Sequence, residues 1–183
     1  MIAELEDCYV LVVDDNEDTR DLLITALEIE GAIVVAVDSA IAALKLLERC
    51  CPDIILCDLA MPEMDGFTLM KQLRSCLYPQ WNQLPAIAMT AMYGECYQTQ
   101  AIEVGFQMCF YKPVDLEQLL QAMRSLLRAK KSDRVRDSRY ERSHSTAFVQ
   151  LSTLDRINSS GFGSLLLCTH PSIDQSLPKF FAP

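Results

Sequence analysis

Asp14-Asp15, Asp58, Thr90 and Lys112 each stand where a short apolar run gives out. If those run ends share one rim, three carboxylates converge, and like charges at that range raise one another's pKa. A hard divalent cation resolves the conflict. Mg2+ needs only one or two carboxylates plus water and phosphate oxygens, which suits an open rim. Lys112 adds a further positive charge and Thr90 a neutral hydroxyl donor. Such a pocket fits a tetrahedral dianion beside a carboxylate, with Asp58 as the nucleophile that takes up phosphorus as an acyl phosphate. The cation and Lys112 would stabilise charge on the transferring oxygens. Taken singly, each residue has a plainer use: Asp14-Asp15 as a helix cap, Thr90 as a strand-end hydroxyl, Lys112 as a surface lysine.

The chemistry therefore depends on the elements that carry these residues. The third strand is expected over Asp53–Asp58, where Ile54 to Cys57 is an unbroken apolar run of the kind buried inside a parallel sheet that drives into Asp58. Met61-Pro62 keeps the following loop extended, and Asp65-Gly66 is expected to supply a turn before a helix. Further strands are expected over Cys8–Val13, Ala32–Val37, Ala86–Met89 and Met108–Tyr111. Between them lie helical stripes. Leu22, Leu23, Ala26 and Leu27 follow an Asn16 cap, and Ala40, Ala43, Leu44 and Leu47 follow a Ser39 cap. Phe67, Met70, Leu73 and Leu77 mark a third helix, and Tyr97, Ala101 and Val104 a weak fourth. Leu116, Leu119, Leu120, Met123, Leu126 and Leu127 form the clearest stripe, opened by Asp115 with Gln118 in the manner of a capping box. Strand and helix alternate five times, which predicts an α/β fold: parallel right-handed βαβ units, with helices on both faces of one sheet.

Composition narrows the class. Half of the residues are hydrophobic, enough for a sizeable core, and no apolar run approaches the roughly 18 residues of a membrane span. The acidic stretch Met1–Asp7 lacks the basic region of a signal peptide, so a cytoplasmic protein is expected. The eight cysteines show no Cys-x-x-Cys spacing and read as reduced, mostly buried thiols. His144 and His170 have no ligand partners at metal spacing. Residues 1–128 carry 20 acidic and 8 basic side chains, a net of −12, whereas residues 129–183 carry 5 and 8, a net of +3. An acidic globular part disfavours nonspecific binding to nucleic acid.

With these pieces in place, the chain resembles the receiver domain of two-component response regulators. The matching segments are Val12-Val13-Asp14-Asp15, Asp58-Leu59-Ala60-Met61-Pro62-Glu63-Met64-Asp65-Gly66, Met89-Thr90-Ala91 and Tyr111-Lys112-Pro113. They stand in the family's order and spacing over about residues 7–128. The resemblance implies a three-layer α/β/α sandwich around a five-stranded parallel sheet of flavodoxin-like order 2-1-3-4-5. It implies a phosphoacceptor rather than an enzyme with a separate substrate, taking its phosphoryl group from a sensor histidine kinase or a histidine phosphotransfer protein. Asp58 would be the acceptor, Asp15 a direct Mg2+ ligand, and Asp14 a ligand either direct or through water. The Ala60 carbonyl would complete the protein ligands, and Thr90 and Lys112 would contact the phosphoryl group. A cis Lys112-Pro113 bond is implied as well. So is a partner-binding face of fourth helix, fifth strand and fifth helix, used for a downstream protein or a homodimer.

Two positions depart from the family pattern. The aromatic residue usual three places before the lysine is Cys109 here, and strand alternation lets Tyr111 substitute in part. Ala60 and Met92 at the mouth of the site leave little to orient an attacking water, so only slow autodephosphorylation is expected. Ala60 also disfavours a haloacid-dehalogenase-type phosphatase, which needs an Asp there. A pseudo-receiver that is never phosphorylated and a DNA-binding regulator are weaker readings of the same chain. Domain organisation follows composition: a receiver over 7–128, then a tail over 129–183. Residues 130–142, with six basic and three acidic side chains, read as a solvated linker or helix extension. The remainder reads as largely disordered or as a docking segment.

Overall fold

The computed structural model describes residues 5–137. Strands β1 (Tyr9–Val13), β2 (Ile33–Val37), β3 (Ile54–Asp58), β4 (Ala86–Thr90) and β5 (Met108–Tyr111) alternate with helices. These are α1 (Glu17–Ile29), α2 (Ala40–Leu47), α3 (Gly66–Ser75), α4 (Pro79–Asn82), α5 (Glu95–Glu103) and α6 (Leu116–Asp137). The strands form one parallel sheet of order β2-β1-β3-β4-β5, as the sequence resemblance implies.

The unalternating strands make sense once both faces of the sheet are covered. Leu11, Val13, Ile55, Cys57, Ala86 and Ala88 point into one core with Ala43 and Leu47 of α2, Met70 and Leu73 of α3, and Ala101 of α5. Val10, Val12, Ile54, Leu56, Ile87 and Met89 point into the other, against Leu23 and Leu27 of α1 and Leu119 and Met123 of α6. These strands therefore stay apolar until they end. The helices start where the sequence places their caps: Asn16 accepts from the Thr19 N–H and Ser39 from the Ala42 N–H. At α6, Asp115 accepts from the Gln118 N–H and also from the Gln118 side chain.

Some local expectations change. Leu22 lies on the solvent side of α1, 55 % exposed, because Leu23 and Leu27 alone supply the buried stripe. Helix α3 ends at Ser75, so Leu77 lies beyond it and is 94 % exposed. β1, β2 and β3 each begin one residue later than expected, at Tyr9, Ile33 and Ile54. The short helix α4 interrupts the connection before β4, so the fourth and fifth expected helices are α5 and α6. Among the described cysteines, Cys8, Cys50 and Cys57 are buried but Cys51 and Cys96 are exposed. Of the two readings for residues 130–142, linker or helix extension, α6 continues as helix to Asp137, while the reading of the tail beyond it lies outside the described residues.

The connection between α3 and β4 is held by Arg74, a residue that pattern reading passes over. Its guanidinium donates to the carbonyls of Trp81, Asn82, Leu84 and Gly105 at 2.8–3.1 Å. Burial lowers its pKa from the ordinary arginine value. Gly105, at φ +106°, makes room for it, since a Cβ there would lie 2.7 Å from Arg74 Nε. Trp81 is thereby held against the α2–α3–α5 core, in edge contact with Tyr78.

Candidate functional site

In a parallel sheet all strands finish on the same side, and the register brings their ends together: Val13 lies beside Cys57, Asp58 beside Met89, and Thr90 beside Tyr111. The residues at these run ends therefore face one shared rim.

Asp14 is fully buried and held from several directions. Its N–H donates to the Val37 carbonyl at 3.2 Å, and its own carbonyl accepts from Arg20 Nη1 at 2.8 Å. Its Oδ1 accepts from the Asn16 N–H at 3.0 Å and its Oδ2 from Lys112 Nζ at 2.7 Å. Asp58 is 4 % exposed. Its Oδ1 accepts from the Ala60 N–H at 3.0 Å and its Oδ2 from Lys112 Nζ. One ammonium thus joins two carboxylates from different strands. Asp15 is exposed, and Asp14, Asp15 and Asp58 each offer a carboxylate oxygen within 4.8 Å of the others.

Thr90 is also fully buried, but its hydrogen bonds run to backbone and not to the carboxylates. Its hydroxyl accepts from the Met92 N–H at 3.0 Å, and its carbonyl accepts from the Lys112 N–H at 2.7 Å. Ala60 is exposed and engages Asp58 through its N–H. Cys109 is half-buried against the α2–α3–α5 core, where burial raises its thiol pKa. The Lys112-Pro113 bond is cis.

Three contributors to this site are not legible as site residues in sequence. Arg20 lies one helical turn past the Asn16 cap, where only the fold shows it turning back to Asp14. Gly66 is the first residue of α3 and not a turn glycine; Asp65 caps the helix through the Thr68 N–H. The left-handed residue in this loop is Glu63, at φ +63°. Tyr93 stacks on Tyr111 with ring centres 5.3 Å apart, and its hydroxyl donates to the Lys112 carbonyl at 3.0 Å.

Electrostatics follow from burial. Asp14 is held above the ordinary carboxyl value because burial penalises its charge more than Lys112 and the Asn16 N–H favour it. For Lys112 burial is again the largest single influence, opposing the charge. The hydrogen bonds and attraction of Asp14 and Asp58 together outweigh it and raise the pKa. With all three carboxylates ionised, Lys112 leaves two negative charges uncompensated. That residual charge and the all-oxygen donor set fit a hard divalent cation.

The sign of the pH response is set by Lys112. Its folded pKa lies above the ordinary 10.5, so its contribution is complete below that value and is lost as pH rises through the folded one. Asp14 has the same sign at acid pH: stability falls as pH rises from the ordinary 3.8 to its higher folded value. In chelator-treated protein, the stability difference between wild type and Lys112→Met is expected to stay level from pH 7 to the ordinary lysine value and shrink beyond it. Urea denaturation across that range checks this, and a gap that widens toward alkaline pH contradicts it.

Comparison with known proteins agrees with this geometry. The family profile described as response regulator receiver domain matches residues 10–124. An uncharacterised 14.6 kDa protein of Leptolyngbya boryana, from the sodA1 3' region, is 48 % identical over 112 residues, covering 61 % of this chain and 84 % of that protein. Response regulator MprA of a Mycobacterium species (strain KMS) is 33 % identical over 129 residues, 70 % of this chain but 54 % of the regulator. The chain thus spans about half the length of that relative. Among solved structures, chemotaxis response regulator CheY4 of Vibrio cholerae superposes with a TM-score of 0.60 at 26 % identity, covering 66 % of this chain and 98 % of that one. The receiver domain of Francisella response regulator 1452 gives 0.62 at 25 % identity, covering 68 % and 99 %.

Proposed function

The chain belongs to the response regulator receiver domain family of two-component systems, and on that footing we propose that Asp58 is its phosphoacceptor. The observation that carries this reading is the single ammonium of Lys112 shared between Asp14 and Asp58 at the rim of a parallel sheet.

An Asp58 oxygen attacks phosphorus of a phosphohistidine on a kinase or phosphotransfer protein. The new O–P bond forms as the P–N bond breaks, and the electron pair leaves with the imidazole, which takes up a proton. A carboxylate nucleophile needs no base. Ala60 N–H and Lys112 fix its orientation, so the attacking oxygen is presented without rotation. Lys112 Nζ, bonded to Asp58 Oδ2 at rest, would contact the oxygens of a group bonded to Asp58, and the Thr90 hydroxyl would do so from β4. Asp14, Asp15, Asp58 and the Ala60 carbonyl would hold Mg2+, which supplies charge compensation to the transferring oxygens.

A receiver of this kind acts as a signalling domain. The domain over 7–128 would present the α5–β5–α6 face, including Ile102 (51 % exposed) and, from the loop before α5, Tyr93 (70 % exposed), to a downstream protein or a second copy. The tail over 129–183 would serve as linker or docking segment. Free thiols at Cys57, Cys76, Cys96 and Cys109 support a reducing cytoplasmic setting. Among the described residues no helix is long and apolar enough to cross a membrane.

Incubation of the full chain with Mg2+ and acetyl phosphate tests the reading by intact mass. One added phosphoryl group, abolished by a chelator, is expected. An unchanged mass, together with an amide spectrum indifferent to Mg2+ and beryllofluoride, would sink it.

A further inference from the structure

Lys112 must be aimed, because a lysine side chain is long and flexible and its ammonium has to reach two carboxylates at once. The backbone that aims it is gripped from one loop. Thr90 carbonyl takes the Lys112 N–H at 2.7 Å, and the Tyr93 hydroxyl donates to the Lys112 carbonyl at 3.0 Å. The grip is doubled at the preceding residue. The Tyr111 ring lies nearly parallel to that of Tyr93, with 5.3 Å between centres and a 19° interplanar angle. The Tyr111 hydroxyl donates back to the Gly94 carbonyl at 3.1 Å. Two stacked rings and two reciprocal hydrogen bonds therefore fasten the Thr90–Gly94 loop to Tyr111-Lys112. Tyr93 is nonetheless 70 % exposed, more than the packing of a core residue would allow.

We propose that Tyr93 is a positioning residue for Lys112: its hydroxyl and its stack on Tyr111 hold the Lys112 backbone so that Nζ spans Asp14 and Asp58. Only the kinetic half of this proposal rests on Asp58 being a phosphoacceptor. The other half concerns the carboxylates themselves. In the resting pocket Lys112 occupies Oδ2 of both Asp14 and Asp58, oxygens that a cation must share or take over. Loosening Lys112 then has two opposite consequences. Phosphoryl uptake slows, because the ammonium is no longer placed for the transferring oxygens. Cation binding tightens, because the competing positive charge retreats. A general loosening of the site would weaken both.

The test uses the full chain as wild type, Tyr93→Ala, Tyr93→Phe, Lys112→Met and the Tyr93→Ala, Lys112→Met pair. Mg2+ binding is read from amide shifts, and phosphoryl uptake from acetyl phosphate by intact mass. Tyr93→Ala is expected to slow uptake about tenfold and to tighten Mg2+ binding severalfold. Tyr93→Phe keeps the stack and loses only the hydroxyl, so its effects fall in the same directions and are smaller. In the Lys112→Met background Tyr93→Ala should leave Mg2+ binding unchanged, since the residue it acts through is gone. Weaker or unaltered Mg2+ binding in Tyr93→Ala, or an effect of equal size without Lys112, overturns the proposal. If wild type takes up no phosphoryl group, the acceptor reading fails by itself, and the binding isotherms still decide the role of Tyr93.

Discussion

Protein carrying Asp58→Asn is expected to take up no phosphoryl group from acetyl phosphate while keeping its fold. The carboxamide has nearly the shape of the carboxylate and can still accept from the Ala60 N–H, and Lys112 keeps Asp14 as its partner. The nucleophile disappears, because an amide oxygen carries no charge to form the O–P bond. The pocket also changes from two uncompensated negative charges to one, so Mg2+ binding should weaken by about tenfold or more. The thermal midpoint should stay within a few degrees of wild type, since a buried charge amid like charges is being removed. Intact mass, a Mg2+ isotherm and a thermal melt read these three effects separately. Persistent uptake in Asp58→Asn would move the acceptor to Asp14 or Asp15, and a collapsed melt would contradict the expected retention of fold.

Gly66→Ala is the second large effect, and it arises behind the acceptor. A Cβ on Gly66 would lie 2.3 Å from the carbonyl oxygen of Asp58 and 3.0 Å from the Leu59 Cα. Both are backbone atoms, so no side chain can swing aside. The contact is held close by the Gly66 N–H, which donates to the Leu59 carbonyl at 3.1 Å, and by the Asp65 cap just before it. Relief requires α3 to move off the end of β3 or the Asp58 peptide to turn. The first loosens Phe67, Leu69 and Met70 in their packing, and the second re-aims the acceptor. A stability loss of about 1–3 kcal/mol is expected from the forced displacement, with slower uptake of phosphoryl groups by the fraction that remains folded. Urea denaturation and the acetyl phosphate assay check both. A variant as stable and as fast as wild type would show that the loop has slack which the close approach denies.

The two substitutions differ in how readable their sites are. Asp58 is visible in the sequence because an apolar run stops at it, and a stop of that kind is a local event. Gly66 is visible only as a small residue after Asp65, which suggests a turn. Its use, as the place where a helix start passes over a strand end, involves the backbone of Asp58 and Leu59 across the intervening loop. The same distinction applies elsewhere. Leu23 and Leu27 are legible as a helix face, but the exposure of Leu22 depends on how far α1 rolls against the sheet. Arg74 looks like an ordinary polar position of α3, and its carbonyl partners come from two connections that meet only in three dimensions.

The alternation of five strands with five main helices, the parallel sheet and the rim residues Asp14, Asp15, Asp58, Thr90 and Lys112 can all be had from the amino-acid string, though the short helix α4 cannot. They are consequences of hydrophobic runs and their ends, which are properties of near neighbours along the chain. Which of those residues touch is a matter of three-dimensional packing: Lys112 holds Asp14 and Asp58, whereas the Thr90 hydroxyl is bound to loop backbone. So are the stack of Tyr93 on Tyr111 next to Lys112 and the close approach of Gly66 behind the acceptor. Contacts of this sort depend on register, helix placement and loop path. A displacement of an ångström or two in any of them makes or breaks a hydrogen bond while leaving every local pattern intact.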